Sequence, residues 1–246
     1  VQAMNRREHP AWQRLAFDEL FVLQLAVARR RAAWAGRPAP CCVVSPAAIT
    51  ALQEVLPFAL TAAQQRVVQT LRADLAQSRP MHRLLQGDVG SGKTAVAFAA
   101  AHAAIASGRQ AAIMAPTELL ARQHLATLGP WCERLGIRAA QLTANTPAGS
   151  RHSLLALAEA GEIQLLIGTH ALLAGRLRLP GLGLVVVDEQ HRFGVLQRFR
   201  LRDRDDAAPL PHLLVMTATP IPRSLALALY GDLELSLLDE KPPGRQ

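Results

Sequence analysis

The stretch from residue 84 to residue 94 reads Leu84-Leu85-Gln86-Gly87-Asp88-Val89-Gly90-Ser91-Gly92-Lys93-Thr94. Its last eight residues match G-x-x-x-x-G-K-[ST], the pattern of a loop that wraps closely around nucleotide phosphates. In such loops the lysine ammonium reaches the β- and γ-phosphates and the threonine hydroxyl reaches Mg²⁺. The run Ala95–Ala106 forms helices readily, so the positive end of a helix would face the phosphates. We therefore predict an ATP site with Mg²⁺ at residues 87–94.

A second stretch ends in two carboxylates. The run Leu184-Val185-Val186-Val187-Asp188-Glu189 has the pattern of a buried strand followed by adjacent acidic residues. Parallel strands present ligands at their carboxyl ends, which suits an aspartate that holds Mg²⁺ and a glutamate that orients water. We predict that Asp188 binds Mg²⁺ together with Thr94 and that Glu189 is the general base. Lys93, Asp188 and Glu189 are then the catalytic residues; the alternative is an acidic strand end that only faces solvent.

Short apolar runs recur along the chain after residue 83. They lie at Ala111–Ala115, Arg138–Leu142, Ile163–Ile167, Leu184–Val187 and Leu213–Met216. Continuous apolar runs are typical of strands that are buried on both faces of a parallel sheet. Helical stretches lie between most of them, and this alternation predicts an α/β fold with a mostly parallel sheet and helices on both faces.

A helical segment is expected before this α/β part. Residues 14–35 have the spacing of an amphipathic helix, with apolar residues on one side at Leu15, Leu20, Leu23 and Val27. A break containing prolines follows at Gly36–Pro46. A second helix is predicted at Thr61–Gln77, with Thr61 as its N-cap.

Composition restricts the class of protein. Half of the 246 residues are hydrophobic, which is enough for a sizeable core. No apolar run is long enough to cross a bilayer and the N-terminal residues lack the apolar segment of a signal peptide, so we expect a cytoplasmic protein without membrane contact. Val1 in place of an initiator methionine suggests a piece of a longer protein. The cysteines, Cys41, Cys42 and Cys132, fit neither a disulfide framework nor a metal site, and we expect reduced thiols.

The charge balance indicates the kind of partner. The formal net charge is +8, and the isoelectric point is about 10.8. Such a chain favours an anionic partner, most often nucleic acid. The alternative is a basic surface that only keeps the protein in solution.

Four short elements, each at the end of a predicted strand, resemble the motifs of superfamily 2 helicases and translocases. They are Ala115-Pro116-Thr117-Glu118-Leu119-Leu120-Ala121, Gly168-Thr169-His170, Asp188-Glu189-Gln190-His191 and Thr217-Ala218-Thr219. A P-loop kinase of small molecules, an alternative from another enzyme class, would leave the second and fourth elements without a role. A non-catalytic basic module that binds nucleic acid is a further alternative.

Longer stretches resemble one family within that group. Residues 85–94, Asp188-Glu189-Gln190-His191-Arg192-Phe193-Gly194-Val195 and Thr217-Ala218-Thr219-Pro220-Ile221-Pro222-Arg223 are similar to the RecG-type ATP-dependent DNA helicases. The similarity covers roughly residues 55–246. The transcription-repair coupling factor, the alternative, shares the Arg-Phe-Gly-Val and Thr-Pro-Ile-Pro-Arg stretches but typically has Glu at the position of Gln190 and Phe at that of Ser91.

The resemblance implies a domain organisation and an activity. A RecA-like motor domain would occupy residues 55–238, after a helical appendage at 1–54 and before a linker at 239–246 to a second motor domain. The family couples ATP hydrolysis to movement on branched DNA, such as stalled forks and Holliday junctions, in recombination and repair in the bacterial cytoplasm at the nucleoid. Its partners within the same protein are the second motor domain and an OB-fold wedge. The second motor domain supplies a catalytic arginine, so this chain alone should bind ATP but hydrolyse it poorly.

The resemblance also implies roles for residues outside the P-loop. Gln64 would contact adenine, the alternative being a surface glutamine. Coupling between the ATP and DNA sites is implied for Gln190, His191, Thr217 and Thr219; for His191 the alternative is a core histidine. Contacts with DNA phosphates are implied for Pro116, Thr117, Gly168, Thr169 and His170. The two threonines in that set also fit a role as helix N-caps.

One stretch departs from the family pattern. Thr143-Ala144-Asn145 stands where the family usually has Thr-Gly-Ser. The missing glycine argues against a close approach of the backbone to a DNA phosphate at this point. Asparagine adopts turn geometry readily, so we expect the loop itself to persist.

Overall fold

The computed structural model of the chain describes residues 10–173, 177, 179–188, 209–219 and 233–240. The helices are α1 (Pro10–Ala35), α2 (Pro46–Val55), α3 (Ala62–Leu75), α4 (Lys93–Ala106), α5 (Glu118–Arg134) and α6 (Ala148–Glu159), with a 3₁₀ turn at His170–Leu173. The strands are β1 (His82–Gly87), β2 (Gln110–Met114), β3 (Ala139–Leu142), β4 (Leu165–Gly168), β5 (Leu182–Asp188), β6 (His212–Thr217) and β7 (Glu234–Leu238).

Within these described ranges, the seven strands form one sheet in the order β3-β4-β2-β5-β6-β1-β7. Every neighbouring pair is parallel. Successive strand residues alternate between two hydrophobic cores, as Leu84 and Leu85 do, because side chains alternate between the faces of a sheet. The α3–α5 helices pack on one face and α6 on the other. The predicted parallel α/β fold with helices on both faces is confirmed.

The boundaries of several elements differ from the predicted ones. The strand predicted at Ile163–Ile167 begins at Leu165 and extends to Gly168. The helix predicted at Thr61–Gln77 ends at Leu75, and its predicted N-cap is confirmed because the Thr61 hydroxyl accepts a hydrogen bond from the backbone N–H of Gln64. The edge strand β7 was not predicted.

The first helix differs from the predicted one in its start and in the burial of its apolar residues. Helix α1 begins at Pro10, four residues before the predicted start at residue 14. Of the four apolar residues placed on one side, Val27 is buried, whereas Leu15, Leu20 and Leu23 are exposed. In the described part of the chain, no helix combines the length and apolar composition needed to cross a membrane.

Residues before the predicted domain boundary at 55 also belong to the core. Cys42 and Leu52 lie in the same buried cluster as residues of β1 and α4. His212 in β6 ties this segment to the sheet: its Nδ1 accepts from the Met81 N–H at 2.9 Å, so its Nε2 donates to the Pro40 carbonyl at 2.7 Å. Burial lowers the pKa of His212 and therefore maintains the neutral imidazole that this arrangement needs. The boundary itself stays a prediction.

A buried arginine explains why β1 and β7 pair despite their polar residues. The Arg83 Nε donates to Asp74 at 2.8 Å and its Nη1 to Ser236 at 3.1 Å, and Nη2 pairs with Glu234 on β7. Arg83 is almost entirely buried. Its charge is thus satisfied by one carboxylate from α3 and one from β7, which joins both elements to β1.

Replacing Arg83 by methionine should destabilise the fold by about 3 kcal/mol, because two carboxylates would lose the buried cation that they share. Methionine retains the apolar part of the side chain, so the loss reports mainly on the charge. Urea denaturation of the chain measures it. As a control, Arg138→Met removes an ion pair with Glu162 that is exposed on both sides, and should cost less than about 1 kcal/mol. Equal losses for the two variants would contradict the role of Arg83.

Candidate nucleotide site and nucleic-acid edge

Three neighbouring strands bring the predicted ATP-site residues to one edge of the sheet. β5, β6 and β1 are adjacent, and their carboxyl ends lead to Asp188, Thr217 and the loop that starts at Gly87. In the register of the sheet Asp188 lies beside Met216, and Thr217 beside Gln86. Residues that are about 130 positions apart in the sequence are therefore collected at the place where parallel sheets bind ligands.

The glycines of the P-loop are required by its shape. Gly90 and Gly92 have φ angles of 82° and 85°, in the left-handed region that L side chains rarely adopt. A Cβ on Gly92 would lie 2.2 Å from the Gln64 Nε2, and one on Gly87 would lie 2.6 Å from the Ser91 Oγ. Gly92 is also the N-cap of α4, so the loop directs the first N–H groups of that helix into its own concavity.

The remaining loop atoms fit a nucleotide phosphate. The Lys93 Nζ donates to the carbonyls of Gly87 at 2.7 Å and Asp88 at 2.9 Å, which keeps the ammonium at the loop. The Ser91 Oγ is buried and has no hydrogen-bond partner within the part of the chain that the structure describes. Asp88 and Val89 form the exposed tip. A cation held at a loop that carries an unsatisfied hydroxyl suits an anionic ligand with several oxygens.

Gln64 lies behind the P-loop. Its side chain is 1% exposed, so the alternative of a surface glutamine is wrong. The amide oxygen accepts from the Thr61 N–H at 2.9 Å, and Nε2 donates to the Ser91 carbonyl at 2.8 Å. Gln64 thus closes a capping box at the start of α3 and fixes the loop at the same time. Its contact with adenine stays a prediction.

Asp188 ends β5 and has a partner that the sequence did not indicate. Its Oδ2 is 2.7 Å from the Nε2 of His124, a residue of α5. Thr94, the other predicted Mg²⁺ ligand, lies in the first turn of α4 and is half-buried. The predicted general base, Glu189, lies outside the described residues. The metal roles of Thr94 and Asp188 stay predictions.

The predicted coupling residues fall into two groups. Thr217 is buried at the end of β6, and its hydroxyl is 2.8 Å from the hydroxyl of Thr219. The Thr219 N–H also donates to the Thr217 Oγ1 at 3.2 Å, so the two threonines form a local turn next to β1. Gln190 and His191 lie outside the described residues, and their roles stay predictions, as does that of this threonine pair.

The other half of the same edge carries the residues predicted to contact DNA. They lie at the carboxyl ends of β2 and β4, and Gly168 is the last residue of β4. Thr117 is exposed and its hydroxyl accepts from the Leu120 N–H, which confirms it as the N-cap of α5. Thr169 is only 2% exposed and precedes the 3₁₀ turn, where its Oγ1 accepts from the Ala171 N–H at 3.5 Å. The N-cap interpretation is confirmed for Thr117, and for Thr169 it stays a prediction.

Within this group of residues, exposure varies. Gly168 is buried, and a Cβ there would lie 2.0 Å from the Leu142 carbonyl oxygen. Pro116 is half-buried and His170 is exposed. The side chains that face outwards at this edge are therefore those of Thr117 and His170, whereas Gly168 and Thr169 shape the backbone. The DNA contacts themselves stay predictions.

The departure at Thr143-Ala144-Asn145 is accommodated by a turn, as expected. The Thr143 N–H donates to the Thr146 Oγ1 at 3.0 Å. The Asn145 side-chain amide donates to the Glu118 carboxylate at 2.7 Å and its backbone N–H donates to the same group at 3.3 Å. These hydrogen bonds, first that of the side-chain amide, lower the pKa of Glu118. The loop after β3 is thereby tied to the first turn of α5.

Comparison with known proteins agrees with this arrangement. The profile of the DEAD/DEAH box helicases matches residues 61–227, about two thirds of the chain. The chain belongs to this family. Two curated relatives are similar over nearly the whole chain. The ATP-dependent DNA helicase RecG of Acidithiobacillus ferridurans is 49% identical, and that of Escherichia coli K12 is 44% identical. Each match covers 97% of this chain and 34% of the relative.

A solved structure of RecG bound to a three-way DNA junction is also similar. Its TM-score against this DEAD/DEAH box chain is 0.82, and the two sequences are 40% identical. The match covers 95% of this chain and 31% of the RecG chain. The predicted resemblance to RecG-type helicases is confirmed. The chain spans about a third of the length of the curated relatives that it matches.

Sequence reasoning missed two polar contacts at this edge of the DEAD/DEAH box fold. One joins His124 to Asp188, and the other joins Asn145 to Glu118. Each pair is separated by many residues, and no spacing rule relates them. The sequence did carry one sign of the first contact. His124 is a polar residue on the same buried side of α5 as Ala121 and Leu128.

Proposed function

We propose that this chain is the first motor domain of an ATP-dependent DNA helicase or translocase of the RecG type. The observation that carries the proposal is the collection of the P-loop, Asp188 and Thr217 at the ends of three adjacent strands. A kinase of small molecules would need the P-loop and the aspartate but not the adjacent Thr217–Thr219 turn or the exposed edge beyond β2. The similarity to RecG over almost the whole chain supports the same assignment.

The proposal assigns a task to each part of the site. The P-loop N–H groups and Lys93 would hold the phosphates of ATP, whose terminal phosphoryl group is transferred to water. Thr94 and Asp188 would hold Mg²⁺, which would offset charge on the phosphates, and Glu189 would accept a proton from the attacking water. Gln64 fixes the loop from behind. The chain's residues therefore bind and orient the reactants, and the remaining transition-state charge requires a further cation.

The organisation that we propose for the longer protein is taken by analogy from the same family. Residues 55–238 would form the motor domain, 1–54 an appendage and 239–246 a linker to a second motor domain that supplies the arginine. RecG has been seen on a three-way junction, and by analogy we propose branched DNA, met at stalled forks and in recombination and repair, as the substrate. A wedge domain would be the further partner, and the bacterial cytoplasm at the nucleoid the place of action.

The chain should bind a fluorescent ATP analogue in the presence of Mg²⁺ and, separately, a three-way DNA junction. Contacts with phosphates from the edge at Thr117 and His170 should be independent of base sequence and should weaken steeply between about 50 and 200 mM salt. Fluorescence anisotropy at several salt concentrations measures both ligands.

Two controls accompany this test. Junctions of unrelated sequence should bind with equal affinity, and Thr94→Ala should reduce the gain in nucleotide affinity that Mg²⁺ provides while leaving DNA binding unchanged. A chain that binds DNA but shows no Mg·ATP binding under any condition would instead be a basic nucleic-acid-binding module, and the proposal would fail.

A further inference from the structure

The carboxyl edge of the sheet has two halves that meet between β2 and β5. β3, β4 and β2 carry the exposed edge proposed for DNA, and β5, β6 and β1 carry the ATP site. Helix α5 begins with Thr117 as its N-cap, directly after β2. About two turns further on, His124 reaches across to Asp188 of β5, with its Nε2 2.7 Å from the carboxylate Oδ2. One helix therefore touches both halves.

The contact is well shielded from water. The side chains of His124 and Asp188 are 10% and 14% exposed. A carboxylate only accepts hydrogen bonds, so the His124 Nε2 carries the proton and donates it. A charged acceptor at 2.7 Å and little competing water make this one of the stronger classes of hydrogen bond. It occupies Oδ2 of Asp188 and leaves Oδ1 for another partner.

The position of His124 is set by contacts that do not involve Asp188. At the start of α5 the hydroxyl of Thr117 caps the helix, and in its last turn the two Nη atoms of Arg134 donate to the carbonyls of Glu54 and Val55 at 2.9 Å each. Ala121 and Leu128, one turn to either side of His124, are fully buried. The imidazole is thus presented by a helix that is fixed at both ends.

We propose that His124 is a positioning residue that orients the Asp188 carboxylate for Mg²⁺. The proposal rests on the proposed function, because it assigns Asp188 to the metal of Mg·ATP. A carboxylate with one oxygen held by a fixed donor has less freedom to rotate, so less ordering is needed when the metal binds. Partners of this kind behind a metal ligand typically change metal affinity by about 10- to 100-fold.

The test compares His124→Ala, His124→Gln and Gln123→Ala in the same chain. Gln123 is the exposed neighbour on α5, so its replacement controls for the helix itself. The affinity for a fluorescent ATP analogue is measured in EDTA and across a Mg²⁺ titration, and thermal unfolding checks the fold. His124→Ala should raise the Mg²⁺ concentration at half-saturation by about 10- to 100-fold and leave the affinity in EDTA unchanged. His124→Gln, whose amide can donate from a similar reach, should recover most of the loss.

The outcomes separate this inference from the proposed function. If the wild-type chain binds no Mg·ATP, the proposed function fails and this inference with it. If the wild-type chain binds Mg·ATP and His124→Ala has the wild-type Mg²⁺ titration, the inference alone is overturned. It is also overturned if the alanine and glutamine variants lose Mg²⁺ dependence equally, or if affinity in EDTA falls in parallel, because the histidine would then act only through the fold.

Discussion

Taken alone, the chain should turn over ATP slowly even when it is saturated with Mg·ATP and a DNA junction. The described site contains the groups proposed to hold phosphates and a metal. Transition-state charge on the transferred phosphoryl group also needs an arginine, which the proposed organisation places in a second motor domain. Without that arginine, turnover should fall by a factor on the order of 10³ to 10⁵. Phosphate release by the chain, measured beside full-length RecG of Escherichia coli, gives the ratio.

Residual turnover must be shown to come from this site. Glu189→Gln removes the proposed general base without changing the size of the side chain, and should abolish whatever activity the chain retains while preserving ATP binding. Turnover by the wild-type chain that DNA stimulates to the level of the full-length relative would show that the chain needs no second domain, and would contradict the prediction.

The continuous apolar runs were sufficient to predict the parallel sheet. Strands such as β5, with Val185 and Val186 buried on opposite faces, have no polar interior position. β7 has the sequence Glu234-Leu235-Ser236-Leu237-Leu238 and lies at the sheet edge with Glu234 and Leu237 exposed. Its pattern is ambiguous because Glu234 is neutralised by arginines that are distant in the sequence, Arg83 at 151 residues before it and Arg31 in α1. Long-range ion pairs of this kind leave no local signal.

The candidate site also combines features that have a local sequence pattern with contacts that have none. The P-loop and Asp188 were predictable because phosphate and metal chemistry restricts residue types at fixed spacing. Gln64 was identified, but its contact with the Ser91 carbonyl depends on how α3 packs behind the loop. His124 was missed for a related reason: its partner is 64 residues away on another element. The exposed side of α1 also shows that helical spacing indicates an apolar face without indicating what covers it.

Replacing Lys93 by alanine should weaken binding of Mg·ATP by roughly 10- to 100-fold, because hydrogen bonds between an ammonium and charged oxygens contribute about 1.5–3 kcal/mol. The Nζ already lies at the loop, on the carbonyls of Gly87 and Asp88, so a phosphate would meet a cation that needs little rearrangement. Titration of the chain with a fluorescent ATP analogue measures the loss, and the affinity for a DNA junction should be unchanged.

The matched control is Lys93→Arg, which retains the charge. A planar guanidinium cannot enter the space between two carbonyls that a compact ammonium fills at 2.7 and 2.9 Å. We therefore expect the arginine variant to lose most of the affinity that the alanine variant loses, although this chain uses arginine at almost every other basic position. Wild-type affinity in Lys93→Arg would mean that a positive charge near the loop is sufficient for nucleotide binding, whatever the shape of the cation. Wild-type affinity in Lys93→Ala would mean that the nucleotide binds elsewhere.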